Sequence, residues 1–200
     1  MVDSDSGDYT RALKDMDLEY AVAEKKNDLA SMSADLQAKG NILAEIPKYE
    51  DAKAQFDRSL QLIESANVSQ EIKDNAKLQH HFNMSALAIG QKDYSAASLH
   101  AEEFRKGAEA TKNPAQIKLA HELAGRIALA QKNYSKAIAE LQQANAQDPR
   151  NLYRLGEAYA ATGDSAKAQS YYAQAAKFNP LPQLPFAFIR VKAKKAANES

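Results

Sequence analysis

A short signature returns five times along the chain, as Gly7-Asp8-Tyr9-x-x-Ala12, Pro47-Lys48-Tyr49-x-x-Ala52, Lys92-Asp93-Tyr94-x-x-Ala97, Lys132-Asn133-Tyr134-x-x-Ala137 and Gly163-Asp164-Ser165-x-x-Ala168. The residue after the turn recurs at spacings of 40, 45, 40 and 31. Self-similarity on this scale marks a repeat architecture, in which each unit is one supersecondary element. The later copies lie between segments of helical apolar period, such as Ile42-Leu43-Ile46 before the second copy and Phe56-Leu60-Leu62-Ile63 after it. The unit is therefore helix, tight turn, helix.

The turn residues have defined tasks. Gly, Lys, Asp or Asn ends the first helix, and the Asp or Asn can cap the next one. Tyr packs into the angle between the helices, and the Ala three positions on lets them approach closely. Two antiparallel helices of about 15 residues fill each period, but so small a unit cannot bury its apolar face alone and must stack on neighbours.

Composition agrees with helix. The chain holds 39 Ala against 7 Gly and 6 Pro, which speaks against an all-β fold. With no Cys and no Trp, disulfides, thiolate metal sites and thiol nucleophiles are excluded. The 26 basic and 26 acidic residues cancel, so no overall field draws the chain to nucleic acid or an anionic membrane. The two halves differ, at −6 for residues 1–100 and +6 for residues 101–200. That gradient suits either orientation on a polar partner or ordinary solvated helix surface. No stretch approaches the roughly 18 apolar residues of a membrane span, and the N-terminal MVDSDSGDYT lacks the form of a signal peptide. The absence of Cys fits a cytoplasmic location and, if a leader has been removed, a periplasmic or secreted one equally.

These residues resemble the tetratricopeptide repeat family. The last unit carries the resemblance best, through Leu152, Leu155, Gly156, Tyr159, Gly163, Ala168, Tyr172, Ala175 and Pro180, with Ser165 in place of the aromatic after the turn. The unit before it offers His121, Ala124, Gly125, Ala128, Tyr134, Ala137, Leu141, Ala144 and Pro149. Around Tyr49 the matching residues are Leu36, Gly40, Leu43, Ala52 and Phe56; around Tyr94, Ser85 holds the glycine position and Ala88, Ala97 and Phe104 are kept. The longer periods depart from the family's 34 residues and resemble its long-repeat members.

The resemblance implies an all-α fold, a right-handed α-solenoid of antiparallel helix pairs. About four repeats are expected, in one domain spanning residues 1–200. Helix pairs are expected at 28–66, 69–111, 114–147 and 150–178. Residues 9–25 read as an orphan second helix with a stripe of Leu13, Met16, Tyr20 and Ala23, either the start of a fragment cut mid-repeat or a cap on the first apolar face. After the helix-breaking stretch around Pro180, Pro182 and Pro185, a capping helix and tail are expected at 184–197, with Phe186, Phe188, Ile189 and Val191 covering the last repeat. Its rival reading is a basic amphipathic helix for a membrane surface or partner groove.

Catalytic signatures are missing. No Gly-rich phosphate loop, Gly-x-Ser-x-Gly elbow or His-Glu-x-x-His occurs. Of the four histidines, His81 and His121 fall where the family packs a helix against its partner, about one helix spacing apart, too far to share a zinc ion. A site joining His80 or His100 with His121 is the remaining catalytic reading. The expectation is a non-enzyme with no metal and no cofactor.

The resemblance further implies a scaffold for protein–protein interaction that binds a protein or peptide segment along a concave groove. Transferring the family's groove positions gives Asn41, Gln79, Phe82, Ile89, Leu119, Glu122, Arg126, Leu129, Tyr153 and Glu157 as the groove residues, from a set that also includes Ala34, Gln37, Ala44, Ala86, Arg150 and Ala160. Only Asn41 and Arg126 match part of the cluster by which some members grip a chain terminus. An accessory or regulatory domain that binds a small ligand or supports an enzyme domain is the alternative. A groove open at its ends favours a peptide, whereas a closed pocket of about 300–1,000 Å³ favours a small molecule. No nucleic acid and no membrane insertion is expected, and weak self-association is expected through the apolar N-terminal face.

Overall fold

The computed structural model describes residues 8–177 and 184–198, with side chains from 189 to 197 in the second segment. Gly7, Pro180, Pro182 and the side chains of Phe186 and Phe188, all used in the sequence reading, lie outside the described residues. The described residues form helices α1 (Tyr9–Lys25), α2 (Leu29–Glu45), α3 (Tyr49–Ser65), α4 (Gln70–Gly90), α5 (Tyr94–Thr111), α6 (Pro114–Ala130), α7 (Tyr134–Leu141), α8 (Pro149–Ala161), α9 (Ser165–Lys177) and α10 (Leu184–Asn198). Each packs on the next in sequence, while α4, α6 and α8 also pack side by side. The fold is an all-α solenoid of helix pairs.

The turns show why the helices stop where they do. Lys92 and Lys132 take left-handed backbone angles (φ 62° and 61°), and Gly163 does the same at φ 84°. Behind them, the amides of Asp93, Asn133 and Asp164 donate to the carbonyls of Ala88, Ala128 and Tyr159 at 2.9, 2.8 and 3.0 Å, closing the end of the helix just finished. The side chains of the same three residues then accept from the amides of Ala96, Lys136 and Lys167 at 3.0, 3.3 and 3.1 Å, capping the helix about to begin. Asp28, after left-handed Asn27 (φ 52°), repeats the arrangement between α1 and α2. One residue thus terminates one helix and starts another, with no room for a variable loop.

The signature alanines are shut away from solvent: Ala52, Ala97 and Ala137 are completely buried, and Ala12 and Ala168 nearly so. Opposite them sits a second small position. A Cβ on Gly40 would come within 2.4 Å of the Phe56 ring, one on Gly156 within 2.5 Å of Tyr172, and one on Gly125 within 2.6 Å of Leu141. Ser85 fills this position in the pair α4–α5, where its hydroxyl donates to the Ala97 carbonyl at 2.9 Å.

The signature tyrosines act between units. Tyr49 lies against Gly90 at the end of α4, where a Cβ would be 2.8 Å from its ring. Tyr94 donates its hydroxyl to the Ala130 carbonyl at the end of α6, at 3.2 Å. Each ring begins one outer helix and touches the end of the next inner one, which fixes how successive pairs stack.

α7 covers Tyr134–Leu141 within the expected span 134–147. Beyond it the amides of Gln143 and Ala144 bond three residues back, to Glu140 and Leu141, and Asn145 accepts from the Gln147 amide. Pro149 opens α8 and keeps the residue before it out of helical geometry. α10 packs on α9 and α8, with Ala193 wholly buried beside Leu152 and Ala175, and it also reaches α2, where Lys192 pairs with Glu45 at 2.7 Å. No helix among the described residues is long and apolar enough to cross a membrane.

Two changes test this account by chemical denaturation. Asp93→Ala removes both the cap and its charge and is expected to lower stability by about 1 kcal/mol; an unchanged midpoint would count against the shared-cap reading. Gly125→Ala gains helix propensity of roughly 1 kcal/mol but forces its Cβ onto Leu141, including its backbone nitrogen at 3.3 Å, so a net loss of about 1–2 kcal/mol is expected.

Candidate functional site

The inner helices present a depression of about 310 Å³ lined by Asn41 and Glu45 of α2, Phe82, Ala86 and Ile89 of α4, Arg126 of α6, Arg150 and Arg154 of α8, and Ile189 and Lys192 of α10. A second of about 510 Å³ adjoins it, sharing Ile89, Arg126 and Arg154 and adding Leu129, Lys132, Tyr134 and Glu157. Because the walls are shared, the two form one trough that runs along the inner layer, with α10 across one end.

The floor of the trough is charged. Glu122 of α6 is 1% exposed, and its Oε1 accepts from Arg154 at 3.1 Å while its Oε2 accepts from Asn151 at 3.4 Å. Burial opposes ionisation there, but Arg154, Arg150 and Arg126 around it hold its carboxyl below the usual carboxylate range. Arg150 grips Asp148 through its amide and guanidinium, the closest contact being 2.5 Å. Arg126 stands apart: its guanidinium approaches Glu122 only to 3.7 Å. Its burial, with the like charge of Arg154, pushes its pKa down to about 9. Glu157, on the same helix as Arg154, has its carboxyl pushed up by burial.

Of the ten positions expected to line the groove, Asn41, Phe82, Ile89 and Arg126 meet in the first depression, and Ile89, Arg126, Leu129 and Glu157 in the second. Gln79 sits in a crevice of about 10 Å³ between α3 and α4 and donates to Asn83 at 2.9 Å. Leu119 packs toward Phe104 and Leu123 and borders a surface depression near Pro114 and Asn145. Glu122 lies beneath the arginines, and Tyr153 packs against Tyr172 with ring centroids 5.4 Å apart. Arg154, Glu45, Ile189 and Lys192 were missed by the sequence reading. Arg154 carried one signal, its four-residue spacing from Arg150, which puts both on one face of α8.

The histidines pair across helices, and His80 and His81 also meet edge to face with ring centroids 6.4 Å apart. His80 bonds Asp57 at 2.7 Å, His121 bonds Glu140 at 2.8 Å, and the Nδ1 atoms of His81 and His100 share a hydrogen bond at 3.1 Å. Burial, then neighbouring histidines, lowers the pKa of His81 and His100. No group of three or more metal-ligating side chains occurs among the described residues.

A family model described as Tetratricopeptide repeat matches residues 149–182, the unit of α8 and α9. No curated protein matches the chain. Among solved structures, the crystal structure of BtubC (BKLC) from P. vanneervenii is similar with a TM-score of 0.54 and 12% identity, over 96% of this chain and 85% of that one. At that identity the likeness concerns the fold. With the shared turn, the paired helices and the family match, residues 149–182 form a tetratricopeptide repeat at the end of an all-α solenoid of helix pairs.

Proposed function

We propose that the chain is a protein-interaction scaffold that receives an extended or helical segment of a partner protein in the trough along α2, α4, α6 and α8. Tetratricopeptide repeats are in general protein–protein interaction modules, and the trough is the feature of this chain that suits such a role. The single observation that carries the reading is continuity. Two adjoining depressions share Ile89, Arg126 and Arg154, so their combined space is elongated, as a chain segment requires. Apolar walls from Phe82, Ala86, Ile89 and Leu129 offer burial for side chains, and the polar groups between them set orientation.

The first depression alone falls at the lower end of small-ligand pockets, which keeps a small-molecule regulator as the second reading. Its merging with the second depression favours a segment. Self-association belongs to this reading as well: Leu18 and Val22 of α1 are 68% and 52% exposed beside Glu19 and Asp35, an apolar strip on the outer side of the first helix.

Ala86→Trp fills the trough from its wall, whereas Leu99→Trp alters α5 at a side chain 63% exposed and absent from the trough lining. Both are compared with the wild type as immobilised baits in extract of the native cell, after circular dichroism has shown folded helix. A partner captured by wild type and Leu99→Trp is expected to fall about tenfold or more with Ala86→Trp. Equal capture by all three would place the interface elsewhere. For the α1 strip, light scattering over a dilution series is expected to show association that Val22→Asp abolishes; a strict monomer at all concentrations would oppose it.

A further inference from the structure

Exposed apolar side chains gather at the two outermost helices. Of five large ones among the described residues, three belong to α1 and α10: Leu18, Val22 and Val191. Leu18 and Val22 lie one turn apart on α1 and open a depression of about 380 Å³ against α2, lined also by Glu19, Lys26, Asp28 and Asp35. Three carboxylates thus face one ammonium. Asp28 is engaged in capping α2, but neither Glu19 nor Asp35 has an ion-pair partner among the described residues. Burial, then the like charges of Glu19 and Asp28, pushes the Asp35 carboxyl up, as follows where no cation stands close. α10 offers the converse, with four basic residues and no acidic one. Ala193 is wholly buried against α8 and α9, so the opposite side of α10, where Val191 is 63% exposed, faces solvent. Lys194 lies three residues beyond Val191 on that side, exposed and without an ion-pair partner among the described residues.

We propose that the α1 strip receives the outer face of α10 from a second copy of this chain, Val191 entering between Leu18 and Val22 while Lys194 meets Glu19 and Asp35. This names the partner of the strip whose self-association is proposed above, and it rests on that reading. Two copies of α1 face to face would bury the same apolar surface, but they would set the Glu19 and Asp35 carboxylates of one against those of the other, a repulsion that grows as water leaves the contact. α10 against α1 brings unlike charges together at the same apolar contact. Residues 1–100 carry −6 and residues 101–200 carry +6, so the field of one copy steers the α10 half of another toward its own α1 half. Two helices in contact make a small interface, so the association is weak and needs a concentrated solution to be seen.

The test is sedimentation equilibrium of the full chain from about 10 µM to about 1 mM, the range suited to a small interface. Lys194→Glu and Glu19→Lys each change one exposed side chain, and circular dichroism checks that both variants keep their helix. Either substitution alone is expected to weaken association about fivefold or more, because it sets like charges against each other. An equimolar mixture of the two variants is expected to associate as the wild type does, since the reversed charge on α10 of one then meets the reversed charge on α1 of the other. Association that Lys194→Glu leaves unchanged while Val22→Asp abolishes it would overturn α10 as the occupant and leave self-association through α1 standing. Two weakened variants whose mixture stays weak would overturn the pairing of α1 with α10. A wild type that is monomeric throughout would overturn the proposal together with the self-association reading.

Discussion

At four sharp turns one residue, Asp28, Asp93, Asn133 or Asp164, serves two helices, and the solenoid leans on that double use; at the α2–α3 turn Lys48 closes α2 through its amide alone. The backbone amide of Asp93 closes α4 and its carboxylate opens α5, while left-handed Lys92 before it makes the reversal in so few residues. Because no slack is left, the angle within each pair is set by the turn. The contacts that follow are then forced: an Ala against the facing helix, and a Gly or Ser where the partner side chain must enter. Tyr49 and Tyr94 carry the same geometry to the next unit, so a local turn propagates into a long-range stack.

From that stack comes the trough. Aligning α4, α6 and α8 side by side brings Phe82, Ile89, Arg126 and Arg154 to one surface, although they are spread over some seventy residues of chain. The buried Glu122 would be costly alone; here several arginines repay its desolvation, and the arrangement leaves one guanidinium without a close acceptor. Polar chemistry in the trough is thus a consequence of packing two inner helices whose facing residues are charged.

The turns and pairs were legible in the sequence because their causes are local. A Lys, Asn or Gly before Asp or Asn, a Tyr or Ser, then an Ala, encodes a helix end, a cap and a close contact within six residues. The trough was legible only in part. Transferring positions by family register found Asn41, Phe82, Ile89, Arg126, Leu129 and Glu157, but it also picked Gln79, which bonds within its own helix, and skipped Arg154. Those outcomes hang on helix rotation and on partners from other units, neither of which a single repeat records. The return of α10 to α2 had no signal at all, since Lys192 and Glu45 are 147 residues apart and each alone reads as ordinary surface charge.

That contact decides whether the concave face is a trough with one end covered or an open surface. Zero-length carbodiimide coupling of the monomer, followed by peptide mass spectrometry, reads it directly, with Lys53 and Asp57 at 2.5 Å on α3 as the internal control. The account predicts an amide link between Lys192 and Glu45 alongside the control link. Recovery of the control link without any coupling of Lys192 to α2 would contradict it.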